Sequence, residues 1–474
     1  MIETQVCVLG GGPGGYAAAF LAADMGLDVA LVDIEPRLGG TCLLRGCIPS
    51  KALLHATEYI TATAELGEWG ISFQPPTIDV DTLRGRKDKV VETLTDGLGQ
   101  LAHQRKVRVI NARGVFVDNH TLQLEDGDAS TYGESSRLTF EQGIIATGST
   151  PAMPGFLNIG SKRIWSSTEG LALSEIPGRL LVVGGGYIGL ELGQVYARLG
   201  SEVTVVEMLP SILAGADADL VRPLKKRLGK LFAEIHLETK VAGVEDTGQA
   251  VKVLLEGKAG GEHEFDAVLV AVGRRPVSGG FGLENTDAEI DEQGFIKVDA
   301  QRRTADEALF AIGDVAGQPM LAHKASADAV VAVETLAGEQ GEFDYRAIPA
   351  VVFTDPEIAY TGLTETDAKE QGIDVEVSKY PWAASGRAQS IGRTDGLTKL
   401  LIDPKTDRIL GAGIVGHGAG ELIAEATLAI EMGATAEDLG RTIHTHPTLS
   451  ETTRFAAEAY YGIATEIYRP KKKE

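Results

Sequence analysis

Apolar residues come in short, nearly continuous bursts along this chain. Val6-Cys7-Val8-Leu9, Val29 to Val32, Leu181-Val182-Val183 and Val203 to Val206 each have the length of a strand. Unbroken runs of that length suit parallel strands covered on both faces. A helix-like stretch, Tyr16 to Met25, separates the first two, and a second, running to about Leu199, separates the other two. Val107 to Val117, Glu141 to Ala146, Val268 to Val272 and Leu309 to Ile312 read as further strands. A helix is predicted from about Ala325 to Leu336. Beyond about Arg346 the texture changes. Leu397 to Ile402 and Ile409 to Val415 alternate around Asp403-Pro404-Lys405-Thr406, an antiparallel hairpin. An amphipathic helix follows from about Glu421 to Met432.

The two strand–helix–strand units carry the same glycines. The first reads Gly10-Gly11-Gly12-Pro13-Gly14-Gly15 and ends its second strand at Asp33; the second reads Gly184-Gly185-Gly186-Tyr187-Ile188-Gly189 and ends at Glu207. The glycine-to-acid separation is 23 residues in both. A lone G-x-G-x-x-G is weak evidence. Flanked by a strand, a helix and an acid at that distance, it describes a dinucleotide site: the glycines let backbone approach a pyrophosphate at a helix N-terminus, and the acid accepts from a ribose 2′-hydroxyl. A glycine turn that only packs helix on strand is the plainer alternative, and two units in one register disfavour it. The fold expected is therefore α/β, with two Rossmann-like dinucleotide-binding domains and a C-terminal α+β domain. Ala146-Thr147-Gly148-Ser149, with Pro151 and Pro154 just beyond, marks a boundary between the units.

Composition narrows the function classes. The net charge of −23 disfavours nucleic acid as a partner, and Lys471-Lys472-Lys473 is too short to reverse that, so it reads as a solvated tail. No apolar run is long enough for a membrane span, and a strand pattern begins so early that no leader is expected. A cytoplasmic protein follows as the expectation. Three cysteines in 474 residues are no disulfide scaffold. Cys7 sits inside the first strand and reads as a small buried apolar residue.

Cys42 and Cys47 stand apart from Cys7, nine residues and more beyond Asp33 in Gly39-Gly40-Thr41-Cys42-Leu43-Leu44-Arg45-Gly46-Cys47-Ile48-Pro49-Ser50-Lys51. A thiol pair beside a bound flavin can carry two electrons. In a regular helix, positions i and i+5 have Cα atoms roughly 8.6 Å apart, beyond the approximately 7 Å limit for a disulfide. If the two are bonded, the helix is distorted, and Gly46 makes that easier. A metal site and a pair of unreactive buried thiols are the alternatives; the first lacks further ligands nearby.

Taken in order, Gly10–Gly15, Gly39–Lys51, Ala146–Gly148, Gly184–Glu191, Gly273–Pro276, Ile312–Val315, Met320–Ala325 and His444–Glu451 resemble the pyridine nucleotide–disulfide oxidoreductases, and among them the dihydrolipoamide dehydrogenases, over essentially the whole chain. The resemblance implies an FAD-binding domain (1–149), an NAD-binding domain (150–275), a central domain completing the FAD site (276–345) and a dimer-interface domain (346–474). It implies oxidation of protein-bound dihydrolipoamide with NAD⁺ by a homodimer whose active sites are completed across the subunit boundary. The partners implied are lipoyl domains of 2-oxoacid dehydrogenase complexes, or of the glycine cleavage system.

By the same resemblance, Cys42 and Cys47 form a redox disulfide, with Cys42 attacked by substrate and Cys47 against the flavin. Lys51 pairs with Glu191 near the flavin. Gly10, Gly12, Gly15, Asp33, Gly114, Thr147, Gly148 and Asp314 belong to the FAD site, as do Met320, Leu321, Ala322 and His323. Gly184, Gly186, Gly189, Glu207, Val241 and Gly273 belong to the NAD site. Glu207 disfavours a 2′-phosphate and therefore NADP. His446 is the acid/base and Glu451 orients it, although Thr448-x-x-Glu451 is also a helix capping box. Pro447 makes the preceding peptide bond a candidate for cis. No metal is implied. Leu44 departs from the family, which has Asn there.

Overall fold

The computed structural model describes residues 2–133 and 136–468, so the terminal lysine tail lies outside the described residues. Three sheets organise the chain. In the first, Ile2–Leu9 runs parallel to Val29–Asp33 on one side and to Arg137–Ile145 on the other. Arg108–Asp118 extends the sheet beyond Val29–Asp33, and Leu309–Ala311 extends it beyond Arg137–Ile145. Thr121–Gly127 then bridges Arg108–Asp118 and Arg137–Ile145 in antiparallel register. The strand expected from Glu141 begins four residues earlier because its first half pairs with Ile2–Thr4 and with this bridge.

The second sheet repeats the plan. Arg179–Val183 lies between Glu202–Val206 and Ala267–Val270, all parallel, with Glu234–His236 and Ile164–Trp165 outside them. An antiparallel meander, Thr239–Asp246, Val251–Gly257 and Gly261–Phe265, accompanies it. The third sheet is antiparallel, in the order Ala350–Val352, Glu357–Gly362, Ile409–Gly416, Leu397–Ile402, Glu376–Pro381. The helices Ala419–Glu431 and Glu451–Tyr460 cover it, burying Trp382, Ile414, Ala426 and Phe455. The predicted hairpin and helix fall within two residues of these elements.

Residues 276–345 do not stand apart from the first sheet. Leu309–Ala311 is its last strand, and the helix Ala322–Leu336 packs on the helix Pro13–Asp24. Close approach is possible because Gly14 faces Ala325: a Cβ there would lie 3.2 Å from the alanine methyl. Phe310 is fully buried in this joint. Truncating such a ring costs about 3–5 kcal/mol. Cys7 is buried as expected, at 2% exposure, and burial raises its thiol pKa. Among the described residues, no helix is long and apolar enough to cross a membrane.

Candidate active site

Both glycine loops turn in the same way. Gly10 has φ +109° and Gly184 φ +108°. A Cβ on Gly10 would lie 2.3 Å from the Ala146 carbonyl oxygen, and one on Gly184 2.4 Å from that of Ala271. No other residue type fits either position. Gly15 and Gly189 sit one helical turn on, where a side chain would strike the carbonyl of Gly10 or Gly184. Each acid then reaches back to its loop. Asp33 accepts from the Gly11 N–H and from the Glu35 N–H at 2.8 Å; Glu207 accepts from the Gly185 N–H at 2.7 Å and the Leu209 N–H at 2.8 Å. Burial pushes the Asp33 carboxyl above its ordinary pKa, against the pull of its backbone donors.

A cavity of about 570 Å³ opens at the first loop. Gly10, Gly12, Asp33, Gly114, Thr147, Gly148, Asp314, Met320 and Ala322 line it, together with Cys42, Cys47, Lys51 and Glu191. Gly15 lies beneath the loop as a packing position. Leu321 and His323, grouped with the flavin site by resemblance, do not line the cavity; the His323 ring instead lies 2.7 Å from the Pro349 carbonyl oxygen. Gly184, Gly186, Gly189, Glu207 and Gly273 all lie outside it, on the second unit. Val241 is buried in the core of the second unit, beside Leu181 and Val251, so only its backbone, at a bulge before Gly243, is left to meet a nucleotide.

The cavity suits a flavin dinucleotide. It runs from the acid of the first unit, past the free N-terminal amides of the helix Pro13–Asp24, to the thiol pair. Its wall includes Gly148, Gly279 and Gly280, where an added Cβ would meet no protein atom within 4 Å, so the space is not needed for packing.

The cysteines stand on two helices, Gly40–Arg45 and Cys47–Glu65. Gly46 breaks the line between them with φ −141° and ψ −111°, and a Cβ there would lie 2.8 Å from the Thr41 carbonyl oxygen. The distortion expected of a reacting pair is therefore present. Both thiols are free here, close enough for Cys42 to donate a hydrogen bond to Cys47. One proton is shared unequally. The hydrogen bond to Cys47, helped by burial, raises the Cys42 pKa, while the same bond brings Cys47 down to about 7. The Lys51 charge adds to the lowering. Cys47 also begins a 19-residue helix, whose positive end favours a thiolate.

Lys51 Nζ lies 2.7 Å from Glu191, which is 3% exposed. Glu191 accepts further from Ser50 Oγ at 3.0 Å and from the Phe353 N–H at 2.9 Å, so its buried charge is fully engaged. The ammonium sits 4.6 Å over the Phe353 ring. Removing Lys51 would leave a buried carboxylate with neutral donors only, at a cost of about 3–5 kcal/mol.

Several lining residues were not legible as site residues. Arg274 donates to Ser149 Oγ and to the Ser149 carbonyl, both at 2.7 Å, and Ser149 in turn hydrogen-bonds Asp314. Arg45 pairs with Glu35 at the acid end of the cavity, and Tyr187 stands at the thiol end. Glycine clusters flag backbone sites, but no spacing rule flags side chains that arrive from distant strands.

His446 and Glu451 lie away from this cavity, on the C-terminal domain. The His446–Pro447 bond is cis, as anticipated. His446 Nδ1 is 3.0 Å from one oxygen of Glu451, and the Thr448 N–H donates to the other at 2.9 Å. Glu451 thus serves the turn and the imidazole together. The His446 side chain is 78% exposed, whereas His444 is tied to Glu425 at 2.7 Å and nearly buried. Asp217, Asp219 and Glu365 come together elsewhere, but the Lys399 ammonium sits among them at 2.6, 2.8 and 2.7 Å.

Residues 4–329 match the family model described as pyridine nucleotide-disulphide oxidoreductase, and residues 348–457 match its dimerisation domain. A dihydrolipoyl dehydrogenase of Haemophilus influenzae is 46% identical over 474 residues, spanning 100% of this chain and 98% of its own. One from Vibrio parahaemolyticus is 47% identical over the same length, with the same coverage. The crystal structure of LpdA from Mycobacterium tuberculosis superposes with a TM-score of 0.88 at 26% identity, covering 96% of this chain and 99% of that one.

Proposed function

The chain belongs to the pyridine nucleotide–disulphide oxidoreductase family, an oxidoreductase fold with FAD and NAD as cofactors, and from that premise we propose that it oxidises protein-bound dihydrolipoamide to lipoamide with reduction of NAD⁺. The observation that carries this reading is the single cavity in which Cys42, Cys47 and the Lys51–Glu191 pair meet the first glycine loop. Residues 1–149 and 276–345 hold FAD in this reading, 150–275 hold NAD, and 346–474 form the dimer interface.

The catalytic cycle begins from a Cys42–Cys47 disulfide. Imidazole Nε2 of His446 of the partner subunit takes the proton of one substrate thiol, while Nδ1–H donates to Glu451. The resulting thiolate attacks Cys42 Sγ. The Cys42–Cys47 bond breaks, a mixed disulfide forms, and Cys47 leaves as a thiolate. The second substrate thiol attacks the substrate sulfur of that mixed disulfide, closes the lipoyl ring and releases Cys42, which takes up a proton. The substrate has lost two electrons and the cysteine pair has gained them. Cys47 is suited to hold the charge, because its pKa is lowered and Lys51 lies beside it. FAD, which the first glycine loop, Asp33 and Asp314 would hold, would supply the two-electron acceptor between the Cys47 thiolate and NAD⁺, so that the Cys42–Cys47 disulfide could re-form.

The exposure of His446 within one chain supports completion of the site by a second copy. Leu428, Met432 and Ile443 on the same domain are 63%, 76% and 93% exposed, an apolar surface that a homodimer would cover. Lipoyl domains of 2-oxoacid dehydrogenase complexes, or of the glycine cleavage system, supply the substrate in the cytoplasm. The test is His446→Ala. Lipoamide turnover falls by about 10²- to 10⁴-fold, while flavin content and the Cys47 titration stay as they are. Turnover near that of the parent enzyme rejects His446 as the base.

A further inference from the structure

Behind the Lys51–Glu191 pair lies a second charged cluster. The Asp355 side chain, 12% exposed, accepts from Arg198 at 2.9 Å, from Arg227 at 2.9 Å and from Arg393. The three guanidiniums come from different parts of the chain: the helix Tyr187–Leu199, the helix Ala218–Leu231, and the turn before strand Leu397–Ile402. Arg198 also donates to Thr61 at 3.1 Å and Arg227 pairs with Glu65 at 2.6 Å, both on the helix that Cys47 begins. One carboxylate thereby gathers both nucleotide units and the C-terminal domain. Without it, three like charges would converge in a poorly hydrated place.

This cluster connects to the thiol through two rungs of hydrogen bonds. Gln194 grips the Asp355 backbone, accepting from its N–H at 3.0 Å and donating to its carbonyl at 3.2 Å. Almost one turn earlier on that helix, Glu191 accepts from the Phe353 N–H at 2.9 Å. The Phe353 ring is also the surface beneath the Lys51 ammonium. Both supports of Lys51, the Glu191 carboxylate and the Phe353 ring, are therefore fixed by where segment 353–355 lies.

We propose that Asp355 is a positioning residue: by gathering Arg198, Arg227 and Arg393 it locks the Phe353–Asp355 segment, which holds the Lys51–Glu191 pair in register with Cys47. The inference rests on the reading of Lys51 as the cation beside the flavin-side thiol. Loosening the segment lets the Lys51 ammonium drift, so the thiolate loses its cation and Cys47 keeps its proton to higher pH. Glu191 opposes that cation, but its influence on Cys47 is the smaller of the two. Cys42, Lys51, Glu191, Tyr16 and Tyr187 are the titratable groups that share the electrostatics of Cys47.

The experiment is the pH dependence of the long-wavelength thiolate–flavin absorbance in the reduced, FAD-loaded enzyme, which reads the protonation of Cys47 against the flavin. In Asp355→Asn the midpoint rises by about half to one pH unit, so the band below the midpoint falls about three- to tenfold. Arg393→Gln moves it less, in the same direction. Asp219→Asn, which weakens the separate Lys399 cluster between the second unit and the C-terminal domain, lowers the melting temperature and leaves the midpoint in place. Lys51→Met raises the midpoint at least as far as Asp355→Asn. If Lys51→Met shifts it and Asp355→Asn only melts sooner, the positioning role is wrong and the Lys51 reading stands. If Lys51→Met shifts nothing, the Lys51 reading fails and the positioning role falls with it. Should Asp355→Asn not fold, Arg393→Gln decides, and an unmoved midpoint there overturns the proposal.

Discussion

The two nucleotide units share a loop to within a degree of φ at the leading glycine, yet the cavity of about 570 Å³ that takes in the thiol pair lies at the first. The glycines and acids do not make this difference. It comes from what is built around them. The first loop is roofed by the cysteine helices, by Thr147–Ser149 and by the 312–325 stretch, all of which line its cavity. The second loop has Glu207 and its turn, and Glu207 does not line that cavity. A cofactor held from several sides is retained through turnover; one held at an open edge comes and goes. The same local motif thus serves a resident group in one unit and an exchanging one in the other.

The largest effect that bears on this contrast comes from matched glycine substitutions. Gly10→Ala and Gly184→Ala create almost the same clash. The first yields protein purified without flavin and without activity; the second yields yellow protein that binds NAD⁺ poorly. Absorbance at the flavin band and NADH titration read both, and equal flavin loss in the two variants would remove the distinction. Next in size is Glu207→Gln, which weakens nicotinamide dinucleotide binding about ten- to hundredfold, the value of a hydrogen bond to a charged acceptor, at unchanged flavin content. The smallest effect is a titration. In the reduced, FAD-loaded enzyme the long-wavelength thiolate–flavin absorbance titrates with a midpoint near pH 7, because the Cys47 thiol pKa is lowered to about 7. The band is lost as pH falls through that value and Cys47 takes up its proton, whereas Cys42, whose pKa is raised, stays protonated throughout. A band retained in Cys47→Ser and lost in Cys42→Ser would reverse the assignment of the two sulfurs.

Much of this was readable from residue order. The repeated glycine-to-acid spacing located both units, and the hairpin and helix after residue 396 were bounded to within two residues. Gly46 betrayed the broken helix, because only a break brings thiols five residues apart together. The side chains that arrive from elsewhere were not readable. Lys399 is a charged residue in the strand Leu397–Ile402, where a lysine is ordinarily solvent-facing, yet it is 1% exposed. The reason is that the helix Ala218–Leu231 lies over that face of the third sheet and brings Asp217 and Asp219 to meet the ammonium. Asp355 was equally silent, since its three arginines lie at sequence separations of 38 to 157 residues. The meander from Thr239 to Phe265 went unmarked because it is half polar, with lysines and glutamates on its outer face.

The edge strand Leu309–Ala311 has a consequence for biosynthesis. It pairs with Arg137–Ile145, and the helix behind it shields the opening of the first loop. A nascent chain can fold its second nucleotide unit while the first still lacks an outer strand and a wall. Vitamin-derived cargo can then be captured stably only after the ribosome has passed residue 325. The unit translated first is the last to mature, so an arrested chain ending near residue 300 should emerge colourless.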